Sequence, residues 1–194
     1  MINLFYKKDY KLLLERLDEV IARLETDKNC YHKLITFLVV AEDRRYYHHP
    51  GFDVIGICRA IYRNLFLSKR EGASTIEQQL VRVLTGDYRY SYQRKIKEIY
   101  LASKLRHIAD KQTLAASYLE VSNYGTIYHG LSSILQKFAM DIHQELSDEV
   151  CAEVIARLKY PEPRIMTTKR ALQIEERKRY ILYLYDKQSN RRHD

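Results

Sequence analysis

The sequence has no tryptophan, 6 glycines, 3 prolines and 3 cysteines in 194 residues. Turn-rich all-β folds need many more glycine and proline punctuators, so their scarcity predicts a mostly helical chain. Cys30, Cys58 and Cys151 lie far apart and form no Cys-x-x-Cys pair, which argues against a zinc site. Their odd number argues against a disulfide-stapled secreted fold, and isolated buried thiols are expected. No stretch approaches the roughly 20 apolar residues that cross a bilayer. The longest apolar run, Leu34 to Ala41, is short and interrupted by Thr36. The N-terminus lacks the pattern of a secretory signal. Either the protein stays in the compartment where it is made, or an anchor lies outside these residues.

What is present is charge and tyrosine. Lys+Arg total 33 against 25 Asp+Glu, a formal net charge of +8, with 46% hydrophobic and 30% charged residues. That mix excludes a disordered chain. At this length roughly 70% of the unfolded surface is buried on folding, enough for one full core. The 17 tyrosines against 5 phenylalanines suit wet, anionic or interfacial surfaces, where the ring packs and the hydroxyl stays hydrated. Nucleic acid, anionic membrane and phosphorylated substrate are equal candidates for an anionic partner on charge alone.

Leu13, Leu14, Leu17, Val20, Ile21 and Leu24 recur at helical spacing, giving an amphipathic helix over 9–25. Residues 34–43 read as a buried helix or strand. Further helices are expected over 54–67, from Ser74 or Thr75 to 85, and over 91–109, 111–124, 131–140, 147–158 and 168–185. A polar loop covers 68–73.

Three clusters can carry chemistry. The first runs from Glu42-Asp43 through Tyr46 and His49 to Asp53, beside a strongly apolar stretch. A carboxylate desolvated there has its pKa raised toward the range of a general base. Adjacent His48 and His49 point in different directions on a helix, so they make a poor metal pair. The second runs from Gly72 to Arg82. Ser74 with Glu77, or Thr75 with Gln78, fits a capping box, and the helix N-terminus beyond offers N–H groups and a positive dipole end to an anion. Gln79 and Arg82 share a face. The third is Arg94-Lys95-Ile96-Lys97-Glu98. Arg94 before Glu98 is the weaker ion-pair order, so helix stabilisation explains that pair poorly.

In order and spacing, these clusters resemble glycosyltransferase family 51, the peptidoglycan glycosyltransferases. That family shows E-D-x-x-F-x-x-H-x-G-F-D, then G-x-S-T-I-x-Q-Q, then R-K-x-x-E, met here at Glu42–Asp53, Gly72–Gln79 and Arg94–Glu98. A fourth block, K-x-x-I-L-x-x-Y-L-N, is matched loosely by Lys111, Tyr118 and Leu119, with Gly125 and Gly130 downstream. The resemblance covers residues 34–160.

It implies a mainly α fold, with a lysozyme-like larger lobe and a smaller lobe flanking a cleft. It divides the chain into an amphipathic helical segment (1–33), a glycosyltransferase domain (34–187) and a polar tail (188–194). It implies polymerisation of lipid II into β-1,4 glycan with inversion and release of polyprenyl pyrophosphate. Action on another lipid-linked saccharide, or non-catalytic binding of one, is the alternative. Glu42 is then the general base. Glu98 is the second catalytic carboxylate, on the donor side, and the candidate ligand for a divalent cation, Mg or Mn. Asp43, Tyr46, His49, Ser74, Thr75, Gln78, Gln79, Arg82 and Arg94 are the substrate-binding set. The implied partners are the lipid-linked disaccharide-peptide, a membrane surface and other cell-wall synthesis proteins, with no nucleic acid. The implied place is the outer face of the cytoplasmic membrane, with a cytoplasmic or peripheral location as the alternative. The chain departs from the pattern at Tyr46 (usually Phe), Glu77 (Thr), Arg82 (Lys), Val83 (Asn), Ala116 (Glu) and Glu120 (Asn). Glu77 is expected to add negative charge near the phosphate site.

Overall fold

The structure is a computed structural model that describes residues 6–24, 28–66 and 72–190. Its helices are α1 Lys7–Ile21, α2 His32–Glu42, α3 Val54–Phe66, α4 Ile76–Thr85, α5 Tyr92–Leu105, α6 Lys111–Val121, α7 Leu131–Lys137, α8 Asp148–Lys159 and α9 Thr168–Asn190. Short 3-10 turns, Lys28–Tyr31 and Tyr46–His48, precede and follow α2. Among the described residues the only β pairing is two isolated bridges, Asn123 with His129 and Gly125 with Glu162. The chain is mainly helical, as its composition predicts.

The ambiguous stretch 34–43 is helix α2. It buries Leu34, Ile35, Phe37, Leu38, Val39 and Val40, so it is apolar on nearly every face and occupies the centre. It packs against α6, α8 and α9, while α4 packs against α1, α5 and α6. Thr75, Ser91, Asp110 and Ser147 cap α4, α5, α6 and α8, each side chain accepting the backbone N–H three residues on. Helices α5, α6 and α7 end about a turn earlier than their periodicity suggests. After α5 the chain must turn before Asp110 can cap α6.

The core does not stop at residue 33. Leu13, Leu17 and Val20 of α1 belong to the same buried cluster as α2, α4 and α6, and Arg16 Nη1 donates to Leu84 O at 2.5 Å. At the other end, α9 runs on to Asn190, so residues 188–190 of the polar tail are helical. The remainder of the tail, and most of the 68–73 loop, lie outside the described residues.

Several tyrosines are core residues rather than surface ones, a correction to the interfacial expectation. Tyr31, Tyr46 and Tyr124 are fully buried. Their hydroxyls donate to Glu120 Oε1 (2.9 Å), Lys111 O (2.7 Å) and Leu119 O (2.8 Å). A buried phenol supplies ring area and one directed bond, which phenylalanine cannot. The thiols also divide: Cys151 is buried, and burial pushes it up to about 12, but Cys58 is exposed on α3. Helix α3 buries only Gly56 and Ala60 and forms a thinly covered flank.

The loop after α6 is pinned by Glu162. Glu162 N donates to Tyr124 O (2.9 Å), and Thr126 N donates to Glu162 O (2.7 Å). A Cβ on Gly125 would meet that oxygen at 2.6 Å, so the backbones touch only because residue 125 is glycine. The Glu162 carboxylate takes Arg157 Nε at 2.8 Å and Lys137 Nζ at 2.6 Å. Burial raises its pKa, but the two cations outweigh burial and hold it below the usual carboxylate value. A depressed folded-state pKa contributes stability above the unfolded value that is lost as pH falls. Glu162→Gln is therefore expected to cost about 2 kcal/mol near neutral pH, because buried Arg157 keeps Glu153 as its carboxylate partner but loses Glu162. Paired urea titrations should show that difference closing below pH 4.

Candidate active site

The centre of the site is the N-terminus of α4, where the first two sequence clusters meet. Thr75 caps the helix, its Oγ1 accepting from Gln78 N at 3.3 Å and donating to Gly51 O at 2.7 Å. Of the two capping pairs left open by the sequence, Thr75 with Gln78 is the one formed. Asp43 Oδ2 accepts from Ile76 N at 3.2 Å, placing a carboxylate on the positive end of α4. His49 Nε2 lies 3.0 Å from Asp43 Oδ2, and Gly51 N donates to His49 Nδ1 at 3.2 Å. Because Nδ1 accepts, a ring proton sits on Nε2, and His49 donates to Asp43. Gly51 has φ +107°, and a Cβ there would lie 2.3 Å from Ala102 O, so only glycine lets this turn press on α5.

Asp43, Tyr46, His49, Thr75 and Gln78 are thus all buried. Each holds protein: Tyr46 grips α6 through Lys111 O, and Gln78 Oε1 accepts from Lys95 Nζ at 2.7 Å. Asp43 and Thr75 also reach the edge of an open cavity, as does Ser74. Glu42, the last residue of α2, lines the same cavity, of about 550 Å³. Around it stand Arg44, Arg45, Arg59, Arg63, Lys159 and Arg177, a strongly cationic wall.

Two side chains hold the Glu42 carboxylate. Arg177 Nη2, from α9, donates to Oε1 at 2.7 Å and to Ala41 O at 2.9 Å. Gln79 Nε2 stands 3.5 Å from Oε2, a long contact. Oε2 is therefore the more lightly held oxygen. Sequence reasoning missed Arg177, because it lies in a charged helix beyond the residues that carry the resemblance. Its one signal is that it is a charge flanked by apolar positions, Ile174 and Ile181, on the inward side of α9.

The second carboxylate, Glu98, is 1% exposed. Arg82 Nε and Nη2 approach it at 2.8 and 3.3 Å, Arg94 Nη1 donates to Oε1, and Lys95 Nζ lies 3.6 Å from Oε2. Three cations on one carboxylate leave local positive charge, the property of an anion site. The Glu98 hydrogen bond holds Arg82 above its ordinary value. Burial pulls Lys95 below the usual lysine range, with Glu98 opposing and Arg82 adding to the fall. Lys95 also donates to Ser74 Oγ at 2.9 Å, and Gln78 Nε2 is a buried donor with no partner among the described residues. Gln79 and Arg82 are one turn apart on α4, about 4.5 Å along its axis. One helix face thus serves both Glu42 and Glu98.

The geometry does not fit a divalent cation at Glu98, since both oxygens are engaged and three positive charges surround them. A second group, Asp43, His49 and Glu77, brings its ligand atoms within 4.8 Å of one another. It fits no better. A metal-bound histidine donates from its other nitrogen, whereas Nδ1 of His49 faces the Gly51 N–H donor. Glu77 itself turns inward, its Oε1 accepting from Lys111 Nζ, which lies 4.3 Å from the Tyr46 ring centroid. It therefore does not add its charge to the phosphate site, contrary to expectation. Two further departures, Ala116 and Glu120, are structural too. Ala116 is in the core, Glu120 holds Tyr31, and neither lines the cavity.

A family model described as Transglycosylase matches residues 13–185. Penicillin-binding protein 1A of Rickettsia prowazekii (strain Madrid E) is 30% identical over 185 residues, 93% of this chain and 23% of that protein. Penicillin-binding protein 1A of Vibrio cholerae is 35% identical over 123 residues, 63% of this chain and 14% of that protein. The Monofunctional glycosyltransferase of Staphylococcus saprophyticus is 36% identical over 95 residues, 49% of this chain and 35% of that protein. The chain thus spans less than a quarter of the two penicillin-binding proteins and about a third of the shorter enzyme.

Glu77 carries its own test. Burial raises its pKa despite Lys111, and its Oε2 is buried with no partner among the described residues. A raised folded-state pKa contributes stability that is complete below the unfolded value and lost as pH rises through the folded one. Glu77→Gln removes that loss. Thermal melts from pH 4 to 8 should show the wild type losing stability relative to Glu77→Gln as pH rises, at about 2–4 °C per kcal/mol. A constant difference between the two would contradict the assignment.

Proposed function

The chain belongs to the transglycosylase family, and from that premise and the geometry around Glu42 we propose that it is a glycosyltransferase that polymerises a lipid-linked disaccharide-peptide. The observation that carries the reading is Glu42 on the cationic cavity, 3.5 Å from Gln79, which stands one helical turn from Arg82 and its partners Arg94 and Lys95 on Glu98. In this reading Glu42 Oε2 takes the proton of the acceptor sugar hydroxyl. The hydroxyl oxygen attacks the anomeric carbon of the donor from the face opposite its diphosphate, so configuration inverts and the glycosidic C–O bond to the diphosphate breaks. The leaving group departs as polyprenyl pyrophosphate, a bound dianion or trianion. Fixed guanidinium and ammonium groups in a cleft stabilise that charge without reorganising. Arg82 and Arg94 supply it, and Lys95 adds a third cation tied to Ser74 and Gln78. Glu98 gathers these cations on one buried point. Arg177 fixes the orientation of the base. Asp43, His49, Thr75 and Tyr46 act one layer back, setting where α4 begins and so where Gln79 and Arg82 stand.

The lipid-linked substrate implies a membrane surface. No helix among the described residues is long and apolar enough to cross a membrane. Helix α3, however, lines the cavity with Arg59 and Arg63 and exposes Val54, Ile55, Ile61, Tyr62, Leu65 and Phe66. We place this apolar flank against the lipid surface, beside the cavity mouth, on the outer face of the cytoplasmic membrane.

Two experiments test the proposal. With labelled lipid II in detergent, the wild type is expected to form glycan polymer, and Glu42→Gln to lose at least about 1000-fold in rate. Polymer made equally well by Glu42→Gln would sink the assignment. In sedimentation with vesicles containing anionic phospholipid, the wild type should pellet. Leu65→Asp with Phe66→Asp should weaken binding by about tenfold or more.

A further inference from the structure

Glu42 reaches Gln79, and Gln79 reaches one residue more. Tyr118 of α6 is 5% exposed, and its hydroxyl donates to Gln79 Oε1 at 2.7 Å. Gln79 is an amide with two nearly isosteric orientations. With Oε1 turned to Glu42, two acceptors would oppose each other, one of them ionised. With Nε2 turned to Glu42, the amide oxygen faces Tyr118 and needs a donor. The phenol is that donor. Burial, and secondly the charge of Glu42, hold Tyr118 above the ordinary tyrosine range, so it keeps its proton. The polarity of the chain is then single-valued: phenol O–H to amide oxygen, amide N–H to carboxylate.

We infer that Tyr118 is a positioning residue for the base. Its hydroxyl locks the Gln79 side chain in the one orientation that presents an N–H to Glu42 Oε2. The need for such a lock follows from the length of the last link. At 3.5 Å the Gln79–Glu42 contact is too weak to orient the amide by itself. Arg177 does not substitute, because it holds the other oxygen. A tyrosine at this position thus does work that a phenylalanine of the same volume would not. The inference rests on the reading of Glu42 as the base.

Steady-state kinetics on lipid II test it. Tyr118→Phe should lower kcat about tenfold, the loss of one well-formed buried hydrogen bond at the reacting group. KM should stay within about twofold, because no substrate contact is removed. Gln79→Ala should lower kcat further, and Tyr118→Phe added to Gln79→Ala should cost nothing more, since the phenol acts through Gln79. A purely structural tyrosine gives the opposite pattern, additive losses. A wild-type kcat in Tyr118→Phe, or additivity in the double variant, overturns the inference. A second readout needs no turnover. In ¹⁵N-labelled protein the Gln79 side-chain amide signal, identified by its loss in Gln79→Ala, should shift in Tyr118→Phe and stay put in Glu77→Gln. An unmoved signal overturns the inference even if the enzyme is active. If the wild type makes no polymer, the functional reading fails by itself, and the amide signal still decides whether the lock exists.

Discussion

Everything in the site depends on where α4 starts. Its first N–H groups are buried and need acceptors, and the chain answers with Asp43 on Ile76 and the Thr75 hydroxyl on Gln78. Those two acceptors are tied in turn through His49 and Gly51. The result is a closed ring of hydrogen bonds joining the end of α2 to the start of α4. Glu42 sits immediately before that ring and Gln79 and Arg82 immediately after it. A shift of α4 by one residue would rotate both away by about 100°.

A layer of buried polar groups surrounds this ring, and it explains why so few of the motif residues face solvent. A polar group buried without a partner is costly, so all but a few atoms, among them Glu77 Oε2 and Gln78 Nε2, are matched to another. Glu98 gathers Arg82, Arg94 and Lys95, and Glu77 takes Lys111. The chemistry is left to a small number of atoms at the surface of a stiff polar interior. Such a site holds its charges in place before the substrate arrives, which is the condition for electrostatic catalysis.

Much of this was legible in the sequence. Composition alone pointed to helices, and the scarcity of glycine made the few glycines informative. Gly51 and Gly125 are close-approach points. The apolar run 34–41 remained ambiguous between helix and strand because a fully buried element has no amphipathic period to read. Motif spacing picked out Glu42, Gln79, Arg82 and Glu98, which α4 joins by reaching Glu42 through Gln79 and Glu98 through Arg82. It could not separate groups that face the cavity from groups that hold the fold. Asp43 and Thr75 border the cavity beside Glu42 yet spend their polar atoms on the start of α4, and no local pattern encodes that. Arg177 was invisible as a site residue for the same reason, standing among many charged residues on α9. Tyr118 was named in the fourth block but given no role there. Each matters through a contact across a long stretch of chain.

The clamp on Glu42 has a temporal consequence. Arg177 and Glu42 are separated by 135 residues. During synthesis from the N-terminus, α2, α4, α5 and α6 emerge well before α9. Closing a loop of that length is slow relative to forming local helices. In the proposed mechanism the carboxylate is therefore complete as a residue long before it is complete as a base, and activity waits for the last long helix to dock against the first buried one.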